Sequence, residues 1–198
     1  MKLPISAKVQ LTLTHPRTAF NTLRDALFGV GGLSYPRVID LFVTERCNFA
    51  CAMCHVKDSM GKNAGSGDLP FGYVIKIVEE SKRWGSAFQV IGGEPTLYPK
   101  LLETLNLISA SRMPSGMTTN GLRLEEFAQD IVQSGLNFLA VSLDGWDEQS
   151  QKLRGKVNGS FDKIIKGVEA VLRHRGRNRF PIVRIGHSGN KKQLYELA

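Results

Sequence analysis

The chain has 198 residues, 42% hydrophobic and 22% charged, a composition that excludes intrinsic disorder, collagen and coiled coil for the chain as a whole. No apolar run approaches the roughly 18 residues of a membrane span, and no apolar stretch follows the first lysines as in a secretory signal. The net charge of +8 arises in residues 151–198, which carry 12 basic and 3 acidic side chains, because residues 1–150 carry 14 and 15.

Residues 1–36 are predicted to form a separate lead-in. Residues 8–13 alternate only weakly between apolar and polar types. One short helix is predicted from an apolar periodicity that stops at a glycine pair: Phe20, Leu23, Leu27 and Val30, then Gly31 and Gly32. Basic residues Arg17 and Arg24 make a helix lying on a membrane surface one alternative. We expect instead a helix packed on the following domain, because the apolar face is short.

From residue 37 onward, strands and helices are predicted to alternate. The predicted strands are five short segments: Val38–Val43, Phe88–Ile91, Ser115–Thr119, Phe138–Ser142 and Ile182–Ile185. The predicted helices carry inward apolar residues at helical spacing: Phe71 to Val78 with Ile75, Leu101 to Ile108, Leu124 to Ile131, Phe161 to Leu172 with Ser160 as N-cap, and a last helix over Lys191–Leu197. Such alternation predicts an α/β fold with a parallel sheet, either doubly wound or a partial barrel.

Polar or glycine-rich loops follow four of the predicted strands. These loops are Thr44–Cys54, Gly92–Thr96, Thr118–Gly121 and Ser142–Gly145. In both candidate folds, ligands bind beyond the carboxyl ends of the strands. The four loops are therefore expected to converge on one binding site.

Three cysteines form the strongest motif, C-x3-C-x2-C, at Cys47, Cys51 and Cys54. Thiolates bind iron–sulfur clusters and zinc. Because the three cysteines lie so close together in the sequence, they indicate a metal site rather than disulfides, and therefore a reducing, cytoplasmic compartment. A closed zinc site needs four protein ligands, and His55 directly follows Cys54, a poor position for the fourth. We favour a [4Fe–4S] cluster with one open iron; zinc and three structural thiols are the alternatives.

The other motifs are turn-like alone but informative together. They are Gly92-Gly93-Glu94-Pro95, Thr119-Asn120-Gly121 and Ser142-Leu143-Asp144-Gly145. With the cysteines, in this order and spacing over about residues 37–172, they resemble the radical S-adenosylmethionine (SAM) superfamily. Arg154-Gly155 and Gly159-Ser160-Phe161 make the chain most similar to the branch of molybdenum-cofactor cyclases and peptide maturases.

The resemblance implies a partial barrel and an enzyme. Cys47, Cys51 and Cys54 would bind three irons of a [4Fe–4S] cluster, and SAM would chelate the fourth. The implied SAM contacts are Met53 at the adenine, Gly92, Gly93 and Glu94 at the methionine amino group, Ser142 at the ribose or carboxylate, and Asn120 and Arg154 nearby. Reductive cleavage would give a 5′-deoxyadenosyl radical that abstracts hydrogen from an unknown peptide or small molecule, with a flavodoxin- or ferredoxin-like electron donor. No acid–base residue is assigned.

Five of the usual six βα units are predicted, so we expect residues 37–198 to form a barrel that is incomplete at its C-terminal end. Two other functions stay open: a non-catalytic iron–sulfur or metal-binding fragment, and an RNA-binding protein that uses the basic last quarter. The basic run lies in a helix-to-strand loop, away from the predicted site, and lacks aromatic residues for base stacking: Arg173, Arg175, Arg177 and Arg179. We therefore expect a solvated loop there.

Overall fold

The computed structural model describes residues 5–28, 35–51, 54, 67–144 and 158–186. The helices are α1 (Ile5–Thr14), α2 (Pro16–Phe28), α3 (Phe71–Ser81), α4 (Leu101–Ala110), α5 (Leu124–Gln133) and α6 (Ser160–Arg175). The strands are β1 (Val38–Phe42), β2 (Ala87–Ile91), β3 (Ser115–Thr119), β4 (Phe138–Ser142) and β5 (Ile182–Gly186). Within these ranges, no helix has the length and apolarity needed to cross a membrane.

The five strands form one parallel sheet in the order β1-β2-β3-β4-β5. A doubly wound sheet reverses its strand order at a switch point, whereas a barrel adds each new strand on the same side. The unbroken order therefore selects the partial barrel from the two predicted architectures. It also brings the loops that leave the strands to one end of the sheet.

The core lies between the sheet and the helices that follow its strands. Alternate strand residues such as Phe88, Val90, Leu139 and Val141 are buried, as expected for side chains that point to one face. The helices contribute a matching apolar stripe: Val74, Val78, Leu105, Ile108, Ile131 and Ile164. Each such side chain stabilises the fold by roughly 1.5–3 kcal/mol, so the core fixes the register that positions the loops.

The predicted strand limits agree with the structure to within one residue, but three details of the helices were wrong. Ser160 is not the N-cap: Gly159 occupies that position with φ 69°, and Ser160 is the first helical residue, 2% exposed. Ile75 and Leu172 face solvent. On α6 the small residue Gly167 packs closely beside the buried Ile164 and Val171, because a Cβ on Gly167 would lie 2.8 Å from Leu124 Cβ. The predicted helix over Lys191–Leu197 lies outside the described residues.

The lead-in contains two helices rather than one. Residues 8–13, with their weak alternation, belong to α1, and α2 begins at Pro16, a residue suited to the first helical position. Both helices lie at the end of the sheet where the strands begin, since residues of β2 and β4 line the same groove as α2. They are therefore at the opposite end of the sheet from the loops that follow the strands.

Candidate functional site

The loop that carries the cysteines is closed at its base. After β1 the chain passes through Thr44, which forms an antiparallel bridge with Asp68 and donates its hydroxyl to Asp68 Oδ1 at 2.6 Å. Arg46 Nη2 lies 2.8 Å from Asp68 Oδ2 and also donates to the Leu97 carbonyl at 2.6 Å. Arg46 immediately precedes Cys47, so this ion pair fixes the residue from which the cysteine loop starts.

Gly92 and Gly93 lie directly against the base of the cysteine loop. Gly93 N donates to the Thr44 carbonyl and Glu94 N to the Arg46 carbonyl, both at 2.7 Å. A Cβ on Gly92, whose φ is 152°, would lie 2.5 Å from the Thr44 oxygen. A Cβ on Gly93 would overlap the Arg46 oxygen. The glycines thus permit backbone-to-backbone packing that holds the loop after β1 against the loop after β2.

Gly93→Ala is expected to lower the free energy of unfolding by on the order of 2 kcal/mol, because the new methyl group meets backbone atoms that cannot rotate away. The matched control is Gly72→Ala in α3, where a Cβ meets nothing within 4 Å and alanine favours the helix. Urea unfolding checks both variants. Equal midpoints for Gly93→Ala and the unmodified chain would contradict the packing role.

Glu94 is buried, 1% exposed, and its carboxylate joins two loops. Oε1 accepts hydrogen bonds from Thr96 N at 3.1 Å, Thr96 Oγ1 at 2.7 Å and Thr119 Oγ1 at 2.6 Å. Oε2 accepts from Asn120 N at 2.7 Å. Each carboxylate oxygen has about two acceptor positions, so Oε1 is fully used by its three donors, whereas Oε2 keeps one position. Glu94 therefore ties the loop after β2 to the loop after β3.

Asn120 extends this connection to the cysteines. Its side-chain nitrogen donates to Asn48 Oδ1 at 2.6 Å and lies 4.0 Å from Cys47 Sγ. Its Oδ1 accepts from Leu122 N at 3.0 Å, which fixes the side chain in its own turn. The structure thus brings the first three predicted loops together, with Asn120 between Glu94 and Cys47.

None of the three cysteines forms a disulfide; Cys47 is exposed as a residue although its sulfur is partly buried, and Cys51 and Cys54 are partly buried. Burial raises the pKa of the Cys47 thiol, and the negative charges of Glu94, Cys51 and Cys54 raise it further. Cys54 N donates to the Cys51 carbonyl at 3.2 Å, so the last two cysteines share one turn of the loop, and three sulfur donors suit an iron–sulfur cluster. Among the residues that the structure describes, no three His, Cys, Asp or Glu side chains enclose a metal-sized position.

Ser142 is the last residue of β4, partly buried and paired in register with Gly186 of β5. It lies at the same end of the sheet as the cysteine loop. Met53 and Arg154, the other two predicted contacts, lie outside the described residues. His55, the alternative zinc ligand, also lies outside them.

Several residues that build the site were given no individual role by the sequence, although all but Asp68 lie in the predicted loops: Thr44, Arg46, Asn48, Asp68, Thr96 and Thr119. On the sheet face opposite the buried strand residues, Gln89 Nε2 donates to Thr118 Oγ1 at 3.0 Å, and both are partly buried. A polar residue between the buried Phe88 and Val90 is the sequence signal that would have shown Gln89 to face away from the core.

The fold and the site together define a class of protein: a parallel partial barrel with a three-thiol loop after its first strand. The chain belongs to the radical SAM superfamily, which matches residues 41–197. This membership confirms the resemblance found in the sequence, the fold class and the expectation of an enzyme.

Relatives of known sequence include proteins named probable GTP 3′,8-cyclase. The one from Methanococcus maripaludis is 34% identical over 140 residues, covering 69% of this chain and 45% of the relative. The one from Methanocella arvoryzae is 32% identical over 131 residues, covering 66% and 41%. The chain thus spans less than half the length of these curated relatives.

Solved structures with the same fold include peptide-associated members. SuiB from Streptococcus suis, solved with S-adenosylmethionine, superposes with a TM-score of 0.68 at 20% identity over 90% of this chain and 42% of that one. The anSMEcpe enzyme, solved with AdoMet and a peptide, gives 0.60 at 19% identity over 76% and 42%. At such identities the likeness establishes the shared fold alone.

Proposed function

We propose that this chain is the cofactor-binding part of a radical SAM enzyme that removes a hydrogen atom from a peptide or small-molecule substrate. The observation that carries the proposal is the placement of Cys47, Cys51 and Cys54 on one loop that packs against Gly92–Glu94 and Asn120. Three features converge on that loop: the glycine packing, the Glu94 carboxylate and the Asn120 amide. A thiol with a purely structural role requires none of these contacts.

Three thiolates suit a [4Fe–4S] cluster in which one iron is left for S-adenosylmethionine. When bound, this pair of cofactors supplies a low-potential electron and a 5′-deoxyadenosyl radical for hydrogen abstraction. Cys47, Cys51 and Cys54 would hold the cluster, and Asn120 donates a hydrogen bond beside Cys47. Hydrogen bonds to cluster sulfurs are one way in which proteins set the potential.

The segment Gly92–Glu94 would accept the amino group of S-adenosylmethionine through its main chain. The N–H groups of Gly93 and Glu94 are used by the cysteine loop. The carbonyls of Gly92 and Gly93 accept no hydrogen bond from the described residues, so they suit an ammonium donor. The Glu94 side chain holds this segment in place. Met53, Ser142 and Arg154 stay proposed contacts to the rest of the cofactor.

The substrate would lie over the sheet face that carries Gln89 and Thr118, beside the proposed cofactor site. The relatives named GTP cyclases and the peptide-bound anSMEcpe make GTP and peptides the first substrates to test. A flavodoxin- or ferredoxin-like protein is the proposed electron donor.

The test uses the full chain, reconstituted with iron and sulfide under anaerobic conditions and then given dithionite and S-adenosylmethionine. We expect 5′-deoxyadenosine and methionine, measured by mass spectrometry, with neither formed when dithionite is omitted. A coloured, iron-loaded chain that forms no 5′-deoxyadenosine would identify a non-catalytic iron–sulfur module. A chain that binds no iron at all would overturn both the cofactor and the activity.

A further inference from the structure

Helix α2 attaches to the barrel through its polar side. Thr18 Oγ1 donates to the Gly85 carbonyl at 2.6 Å, and Asn21 Nδ2 donates to the Trp84 carbonyl at 2.5 Å. Asp25 accepts a hydrogen bond from Arg37 at 2.6 Å, just before β1. The fit is close, because a Cβ on Gly85 would lie 2.9 Å from the Thr18 nitrogen.

The apolar side of α2 consequently faces outward, opposite to the usual arrangement of a surface helix. Three of its large apolar residues are 60–68% exposed, and two on α1 are 51% and 75% exposed: Phe20, Leu23, Leu27, Val9 and Leu13. These residues are five of the eleven exposed large hydrophobics in the described part of the chain. The expectation that α2 packs on the domain is met, but its apolar side is left uncovered.

The exposed side borders a groove of about 870 Å³ beneath the barrel. One wall is formed by Phe20 and Leu23 of α2, and the other by Ala87, Pro114 and Phe138, which lie where strands β2, β3 and β4 begin. The lining is predominantly apolar, with His15 and the threonines Thr12, Thr18 and Thr22 as its polar members. We call the groove and the five exposed residues of α1 and α2 the basal apolar surface.

Positive charge surrounds this surface. Four connections run from a helix to the next strand, over residues 82–86, 111–114, 134–137 and 176–181. They contain no acidic residue and five basic ones, of which Lys82 is paired with Glu79 at the end of α3: Lys82, Arg83, Arg112, Arg177 and Arg179. Because the strands are parallel, all four connections lie at the end of the barrel that holds α1 and α2. Arg112 lines a cavity with Leu13 of α1, so at least this charge borders the exposed apolar residues.

We propose that the basal apolar surface docks this protein on an anionic lipid bilayer. Exposed leucine, valine and phenylalanine side chains enter the acyl region, while surrounding lysine and arginine side chains meet the phosphate groups. An RNA ligand would use the arginines but leave the aliphatic residues in water, because bases stack on aromatic rather than aliphatic groups. Docking by this end leaves the cysteine loop facing the aqueous side.

The test is sedimentation of the full chain with vesicles of phosphatidylglycerol and phosphatidylcholine in equal parts, against pure phosphatidylcholine. We expect binding to the anionic vesicles only. The triple variant Phe20→Ser, Leu23→Ser and Leu27→Ser should bind at least about tenfold more weakly. Arg177→Gln with Arg179→Gln should bind more weakly and lose less on addition of salt. The control, Tyr73→Ser with Ile75→Ser, removes exposed apolar residues from α3 and should bind normally.

Circular dichroism melting checks that the triple variant folds, which its exposed positions favour. Absence of binding to anionic vesicles at low salt would overturn the proposal, as would equal binding by the triple variant. A dimer that the triple variant dissociates would show that a second copy covers the surface instead. Binding of RNA that depends on Arg177 and Arg179 but not on Phe20, without vesicle binding, would identify a nucleic-acid surface. None of these measurements depends on the cofactors.

Discussion

Replacement of Cys47, Cys51 or Cys54 by alanine is expected to reduce the iron bound after anaerobic reconstitution from about four atoms per chain to nearly none. Three thiolates are the minimum for a cluster with one open iron, so two cannot hold it. Iron and sulfide assays and the visible absorption of the cluster measure the loss. Formation of 5′-deoxyadenosine should disappear in the same variants.

The control for this experiment is His174→Ala, which should leave the iron content unchanged. This variant removes an exposed imidazole from the end of α6, beside the helix-to-strand connection at the opposite end of the barrel. Full iron content in all three cysteine variants would contradict the assignment. Zinc in place of iron, removed by His55→Ala, would instead establish the alternative zinc site with three cysteines and one histidine.

Glu94→Gln is expected to lower the free energy of unfolding by about 3 kcal/mol. The variant loses strong hydrogen bonds to a charged acceptor, and the N–H group of its amide would point at the donors that now bond to the carboxylate. Thr96, Thr119 and Asn120 would compete for one remaining oxygen. Binding of S-adenosylmethionine, measured by calorimetry on the reconstituted chain, should weaken as well, since Gly92–Glu94 would no longer be held.

Glu103→Gln provides the matched control. Glu103 is exposed on α4 and forms an ion pair with Lys100, three residues away, so its loss should cost less than about 1 kcal/mol. Thr119→Ser keeps the hydroxyl that Glu94 accepts from and should remain close to the unmodified chain, whereas Thr119→Val should not. Unchanged urea midpoints for both Glu94→Gln and Thr119→Val would show that the carboxylate does not join the two loops.

The sequence predicted the location of the site better than it predicted the structural role of each residue there. The cysteine spacing and the order of the motifs led to the radical SAM superfamily, and that family is confirmed. The resemblance implied that Gly92 and Gly93 contact S-adenosylmethionine, which stays a proposal; the structure adds that both glycines lie against the carbonyls of Thr44 and Arg46. Close approach between segments some 50 residues apart has no local signal, so only the folded chain reveals it.

The sequence by itself determined the alternation of strands and helices, because strand and helix periodicity are local properties of 5–16 residues. That alternation left the partial barrel and the doubly wound sheet open, and the resemblance to the radical SAM superfamily implied the barrel. Only the tertiary structure shows the strand order β1-β2-β3-β4-β5 that confirms it, since strand order depends on which side each crossover helix packs. It also decided which side of α2 meets the domain. The apolar periodicity of α2 predicted a packed helix. In the structure, Thr18 and Asn21 donate hydrogen bonds to backbone carbonyls at the base of the barrel, so the polar side of α2 meets the domain and its apolar side faces outward.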